Sequence, residues 1–491
     1  MAQGEPGAVP PGHCLGPAAG VGVLCRAGTR RGMLAVREGA QQCNGVSGAE
    51  ASRPLCTREE LSMIHSQLTS SALTARASAA QFVLGLAREV SVEDYDLLAT
   101  VMPSVVGALE RLVLGAAGQE ELLEAVLKAL ASATAAAPLL FKESCFERIW
   151  PLLLQISSIP DFVDDDVRHL AMEAAMSLAL GLIEDFCTVD GQPLLEEMVT
   201  LNIEWLFEVE SDVNRWNAQG EADDEDAKLD EDTSKIGEDN LCLLAEACSQ
   251  LRASEDAEAS QLEIVFLPII FKVLNTFLQL QRSTWRHARA AAVTLSRVTG
   301  RVVQEAWLLR SVQLAGSQLG HAHPRVRHAG LQAIQQLVWW HRDYVQENHL
   351  EVLLPIIMAT LADHSSRVAA SAASTLASLI TGLSVVALQP HAEVVIKAAL
   401  AHLSSGTNQA MQDNCLSCLA AIARVSEELL VPWWNHNDAG RGQWCAEFRE
   451  QAIFSKNLVH RRHESDLPRP MKRRRYKEST EICGPYYLSA V

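Results

Sequence analysis

A phrase returns along this chain: a Pro in an apolar helical stretch, a polar break, then a basic residue that opens an Ala-rich second stretch. Its clearest copy pairs Leu353-Leu354-Pro355-Ile356-Ile357 with Ser366-Arg367-Val368-Ala369-Ala370. Self-similarity at this scale means that each unit can bury its apolar face only against its neighbours, which constrains the chain to a stacked array. Function in such an array rests on surfaces that hold partners.

Arg286-His287-Ala288 aligns with Arg327-His328-Ala329, and Arg325-Val326 with Arg367-Val368, each pair about 40 residues apart, a period typical of HEAT units. Aromatics are only 5% of the chain while hydrophobic residues reach 48%; the excess is Ala and Leu, which form helices and let their axes approach closely. The fold class is therefore all-α, an α-solenoid of HEAT repeats with disordered ends. Eight helix pairs are expected, with second helices starting near Ala75, Gln119, Val167, Ile236, Thr284, Pro324, Ser366 and Asn408. The first helices carry Pro103, Pro151, Pro268 and Pro355, each of which removes a backbone bond and bends its helix. In the helix from Pro324, the positions Val326, Ala329, Ala333, Ile334, Leu337 and Val338 share one face, leaving Arg325, Gln332 and Gln336 off it.

Three regions follow. Residues 1–56, rich in Gly and Pro and without helical periodicity, are expected as a disordered leader, with weak likeness to a transit peptide. Residues 57–430 form the solenoid, interrupted by an acidic loop at 209–238, and residues 431–491 form an irregular basic tail. The net charge of −19 is concentrated in the solenoid; such a field repels phosphates, so no direct nucleic-acid binding is expected, and it attracts basic partners. No charge-free apolar run reaches the roughly 18 residues of a membrane span, so no membrane insertion is expected. Twelve Cys without a secretory signal fit a reducing compartment.

Phosphate-loop, dinucleotide, zinc-protease and serine-hydrolase motifs do not occur in the sequence, so no catalytic residue, cofactor or metal is assigned and the chain is read as a non-enzyme. Cys415 and Cys418 have CxxC spacing but lie in an amphipathic helix, and read as core thiols. His287, His321, His323 and His328 gather at helix starts, where solvation explains them. Trp285, Trp339 and Trp340 could grip a peptide, although burial as core outweighs that reading. Candidate partner-binding residues are Glu221, Asp223, Asp224, Glu225, Asp226, Asp230, Glu231 and Asp232 in the acidic loop, together with Trp285, Arg286, Arg325 and Arg327. In the tail, Lys472, Arg473, Arg474, Arg475 and Lys477 read equally as a nuclear import signal or as a solvated cluster; a tail lying on the acidic loop is a third reading.

From Ser211 through Leu337 the sequence resembles the importin β superfamily, nearest to the importin-five branch and its fungal karyopherin relatives. The resemblance rests on order: an acidic loop with Asp212, Trp216, Asn217, Ala218 and the run Glu221 to Asp232, then the Pro helix at Leu267-Pro268-Ile269. Thr284-Trp285-Arg286-His287-Ala288-Arg289-Ala290-Ala291 follows, and then the most specific match, His323-Pro324-Arg325-Val326-Arg327-His328-Ala329. Weaker similarity extends from about Thr74 to Glu428, and members of the family run longer. The resemblance implies a nuclear transport receptor that binds basic cargo, Ran in its GTP form and Phe-Gly nucleoporins, and shuttles between cytoplasm and nucleus. A HEAT scaffold subunit of a multi-protein assembly, such as a phosphatase, is the rival.

Overall fold

The computed structural model describes residues 58–89, 95–115, 120–158, 164–209, 211–219, 232–251, 260–279, 283–404, 409–430 and 433. The helices are α1 Arg58–Leu68, α2 Leu73–Ala87, α3 Tyr95–Leu114, α4 Glu120–Ala136, α5 Pro138–Ser144, α6 Phe146–Ser158 and α7 Asp165–Gly181. They continue as α8 Ile183–Phe186, α9 Gln192–Trp205, α10 Val213–Gln219, α11 Asp232–Gln250, α12 Leu267–Gln279 and α13 Trp285–Val298. The last are α14 Glu305–Gln318, α15 Pro324–Trp340, α16 Arg342–Thr360, α17 Ser366–Ile380, α18 Val385–Ser404 and α19 Gln409–Val425. Eight second helices thus begin within four residues of the positions that periodicity assigns them.

The described helices fall into two compact units, one made by those within residues 58–209 and 232–308, the other by those within residues 211–219 and 309–430. In the first, the second helices α2, α4, α7, α11 and α13 stack one on the next; α2, α4, α7 and α13 each pair with the helix before them, and α11 pairs with α9. In the second, α15, α17 and α19 stack in the same way. Small side chains make this stacking tight: Ala133, Ala171, Ala174, Ala290, Ala333 and Ala372 are wholly buried. Gly237 of α11 sits where a Cβ would lie 2.7 Å from the Asn202 carbonyl oxygen of α9, and there Asn240 donates to Asn202 Oδ1 at 2.8 Å. Close approach and an amide pair fix the crossing of α9 and α11 together.

Local signals set the helix ends. The backbone N–H of Thr284 donates to His287 Nδ1 at 3.0 Å, closing the first turn of α13 from both sides. His323 caps α15 by accepting from Arg325 N, and Pro324 follows at the first helical position, where a missing N–H costs nothing. Ser365 caps α17, which ends before Gly382, held at a φ of 86° that side-chain-bearing residues avoid. The first-helix prolines lie inside α3, α6 and α16, and Pro268 is the second residue of α12, which follows a π turn over Leu262–Phe266; α18 carries a further one, Pro390.

Four expectations are corrected. Tyr95–Leu114 and Leu262–Gln279 are long and apolar enough to cross a membrane by length and composition, because two charges in a helix do not cancel so many aliphatic residues; 50% and 56% of those windows are buried within the fold. Trp339 and Trp340, expected as core, are 51% and 55% exposed at the end of α15. Arg325, expected off the buried face, is 2% exposed. The interval 209–238 contains the helix α10 and the first turns of α11, the former begun by Asp212 Oδ1 accepting from Asn214 N at 2.8 Å.

Candidate functional site

The segment 211–219 precedes the acidic run and carries one buried side chain. Trp216 is 3% exposed, while Ser211, Asp212, Asn214 and Arg215 around it are exposed. Two guanidinium groups lie over the indole, that of Arg367 at 4.6 Å and that of Arg325 at 5.4 Å from the ring centroid. The His328 ring meets it edge-on at 5.4 Å. Both cations face the electron-rich indole ring in a desolvated setting, where such attraction is strongest. Two polar bonds fix the register: Arg367 Nη1 donates to the Trp216 carbonyl at 3.0 Å, and Ser365 Oγ donates to Asn217 Oδ1 at 2.7 Å.

The cradle is built by helix starts. Arg325 and His328 stand in the first turns of α15, and Ser365 and Arg367 at the start of α17. Arg327 ties those two starts together, donating to Asp363 through Nε at 2.6 Å and Nη2 at 2.7 Å, and to the carbonyls of His321 and Ala322 at 2.8 Å. Burial, aided by Arg325, His321 and Arg327, holds the His323 imidazole down at about 4, and burial with Arg327 also lowers His321. Both are neutral at physiological pH, so His323 keeps the lone pair it uses as a cap.

In the first unit, α13 treats the end of α9 in a parallel way. Arg289, 7% exposed, donates to the Leu206 carbonyl at 2.9 Å, and Arg286 to the Val209 carbonyl at 3.3 Å while its guanidinium stacks over Trp285 at 5.4 Å. Glu238 of α11 receives Arg297 at 2.5 Å and lies 3.8 Å from Arg289. Arg168, 2% exposed, grips Glu208 at 2.6 and 3.1 Å and Asp165 at 2.9 Å beneath Trp205. Arginines thus bind down the chain on its way to the acidic run.

The residues singled out from sequence divide accordingly. Arg325, Arg327 and Arg286 make their contacts with the chain itself, and Trp285 is half-buried beside Arg286. Glu221, Asp223, Asp224, Glu225, Asp226, Asp230 and Glu231 lie outside the described residues, and Asp232 begins α11. Lys472, Arg473, Arg474, Arg475 and Lys477 also lie outside them. Cys415 and Cys418 are buried, and burial pushes the Cys415 thiol up to about 12. His287 and His323 serve at helix starts, and among the described residues no group of three or more His, Cys, Asp or Glu gathers as a metal site. Trp216 and Asp363 were missed as anchors; a lone Trp in a polar run was the one available signal.

No family model and no curated protein matches the chain. Among solved structures its fold matches that of Kap121p bound to Nup53p, with a TM-score of 0.65 at 19% identity over 77% of this chain and 35% of that one. Kap121p bound to Pho4p matches with a TM-score of 0.64 at 20% identity over 77% and 35%, and a further Kap121p structure with 0.63 at 20% over 76% and 35%. The chain is an α-solenoid. Its arrangement of hairpins matches the fold of Kap121p, and it spans about a third of the length of the structures it matches.

Proposed function

We propose that this protein is a karyopherin-like nuclear transport receptor that binds proteins carrying basic segments. The observation that carries the reading is the fold itself: Kap121p, with which the chain shares it, is solved in complex with Nup53p, Pho4p and the SUMO protease Ulp1p. The acidic run from Glu221 to Asp232 supplies negative charge that matches a basic segment. Ran in its GTP form and Phe-Gly nucleoporins are the further partners of this reading, shuttling between cytoplasm and nucleus is its localisation, and the Lys472 to Lys477 cluster is its own import signal.

Affinity in such a complex comes from many exposed charge pairs worth about 0.2 to 1 kcal/mol each, so it falls as salt screens them. Titration of the full-length protein with a fluorescent basic import peptide should therefore show strong binding in low salt and weak binding in high salt. Replacing the acids between Glu221 and Asp232 with Ser should weaken the low-salt complex. Affinity unchanged by salt and by those replacements would exclude this mode of cargo binding.

A further inference from the structure

We propose that the cradle of Arg325, His328, Ser365 and Arg367 is a binding site for a tryptophan carried on an acidic peptide, and that Trp216 occupies it as the chain's own removable plug. The site is distinct from the acidic run, and the inference holds whatever cargo the protein carries.

The contact has the anatomy of a bound peptide. A single aromatic anchor is buried while the residues beside it are exposed, and binding energy in peptide complexes is concentrated in such an anchor, Trp and Arg above all. The segment that bears Trp216 is a helix of 7 residues, far below the length at which a helix holds itself, so α10 owes its order to this docking. An element of the core would instead bury an aliphatic stripe; here Trp216 is the buried side chain among residues 211–217.

The receptor does not need the plug to stand. Arg325 and Arg367 belong to α15 and α17, which stack directly, Thr375 donating to the Leu331 carbonyl at 3.3 Å and Gln335 to Ser374 at 3.0 Å, and are clipped by Arg327 and Asp363. What the cradle selects is equally clear: two guanidinium groups over the indole favour an aromatic side chain, the Arg367 donor takes a backbone carbonyl, and Ser365 takes the amide of the next residue. The two arginines favour an acidic residue near the Trp, as Asp212 stands one helical turn before Trp216.

The test uses a fluorescent synthetic peptide of residues 209–219 and the full-length protein. The Trp216→Ala protein should bind the peptide, and wild type should need at least about tenfold more, because a tethered occupant competes at about millimolar effective concentration. A peptide with Ala in place of its Trp should not bind. A Trp216→Ala protein that melts cooperatively yet binds no peptide overturns the proposal, as does equal binding to variant and wild type. Hydrogen exchange of the wild-type protein gives a second reading that needs no variant. Amides of 213–219 should exchange at least about a hundredfold faster than those of α15 and α17, as a locally opening element does; equal rates would make the segment part of the core and overturn the plug.

Discussion

Arg327 and Asp363 meet fork to fork, Nε to Oδ2 at 2.6 Å and Nη2 to Oδ1 at 2.7 Å, at the turns that lead into two successive repeats. Asp363 Oδ1 also accepts from the backbone N–H of Ser365 at 2.9 Å, and Arg327 reaches back to the carbonyls of His321 and Ala322. Thus the Arg of the most specific phrase in the sequence is spent on holding repeat to repeat. The solenoid is coupled here by directional polar bonds as well as by the packing of small residues, which fixes the angle between hairpins in a way that apolar contact alone does not.

The pair is largely buried, with side chains 16% and 7% exposed, so removing one partner strands the other's charge. Asp363→Ala should lower unfolding free energy by about 3 kcal/mol, measured by urea denaturation, because it leaves a desolvated guanidinium and an uncapped turn. Arg327→Lys should lose a smaller part of that stability, since an ammonium keeps the charge pair but cannot make the bidentate contact. A lysine variant as stable as wild type would show that charge, not geometry, carries the clip.

Helix starts were legible because the signals that make them are local. Pro324 and Ser366 begin α15 and α17 where periodicity and capping place them. Periodicity puts the start of α11 near Ile236, yet Thr233 and Ser234 are buried there, so the helix begins earlier, at Asp232. Arg325 shows the limit: its place off the apolar stripe follows from its own helix, whereas its burial comes from tertiary packing, with the Trp216 ring, more than 100 positions away in the chain, against its guanidinium. Trp339 and Trp340 fail for the converse reason, since residue type suggested core and their position at the last turn of α15 leaves them exposed. The candidate site was thus half legible, its charge in the sequence and its anchor only in the packing.

Gly237 lies in the interior of α11, where Ala would ordinarily gain about 1 kcal/mol from helix propensity. Packing decides against it, because the new Cβ would stand 2.7 Å from the Asn202 carbonyl oxygen and 3.2 Å from Trp205 Cβ, both held by α9. Gly237→Ala should therefore destabilise by a net of about 1 to 2 kcal/mol, the overpacking cost outweighing the propensity gain. Thermal melting followed by circular dichroism reads the sign; a stabilised variant would mean that α9 and α11 can move apart freely.

Cys415 and Cys418 test the CxxC spacing directly. Both are about 1% exposed on α19, and burial raises both thiols, Cys415 to about 12, so neither supplies thiolate at neutral pH. Native protein treated with iodoacetamide at pH 8 should keep both unmodified, by mass mapping, while urea-unfolded protein is alkylated at both. Rapid native alkylation of either would place it in an accessible site rather than in the helix core.

The turn before α15 should make stability fall in mild acid. His323 accepts the N–H of Arg325 as a neutral ring, and its neighbours Arg325, Arg327 and His321 all oppose a second charge; with burial they hold it near 4 instead of its ordinary 6.5. A folded value below the unfolded one means that the unfolded chain binds more protons between those limits, so the contribution is complete above about 6.5 and lost as pH falls toward 4. His323→Asn keeps a capping side chain without a proton to bind, as Asn is among the best N-caps. The variant should match wild type at neutral pH and lose less stability from pH 6.5 to pH 4, read from urea midpoints across that range. His321 and the carboxylates still titrate in both proteins, so the quantity that decides is the difference between the two slopes. Parallel slopes would show that His323 carries no part of the acid sensitivity and that its cap survives protonation.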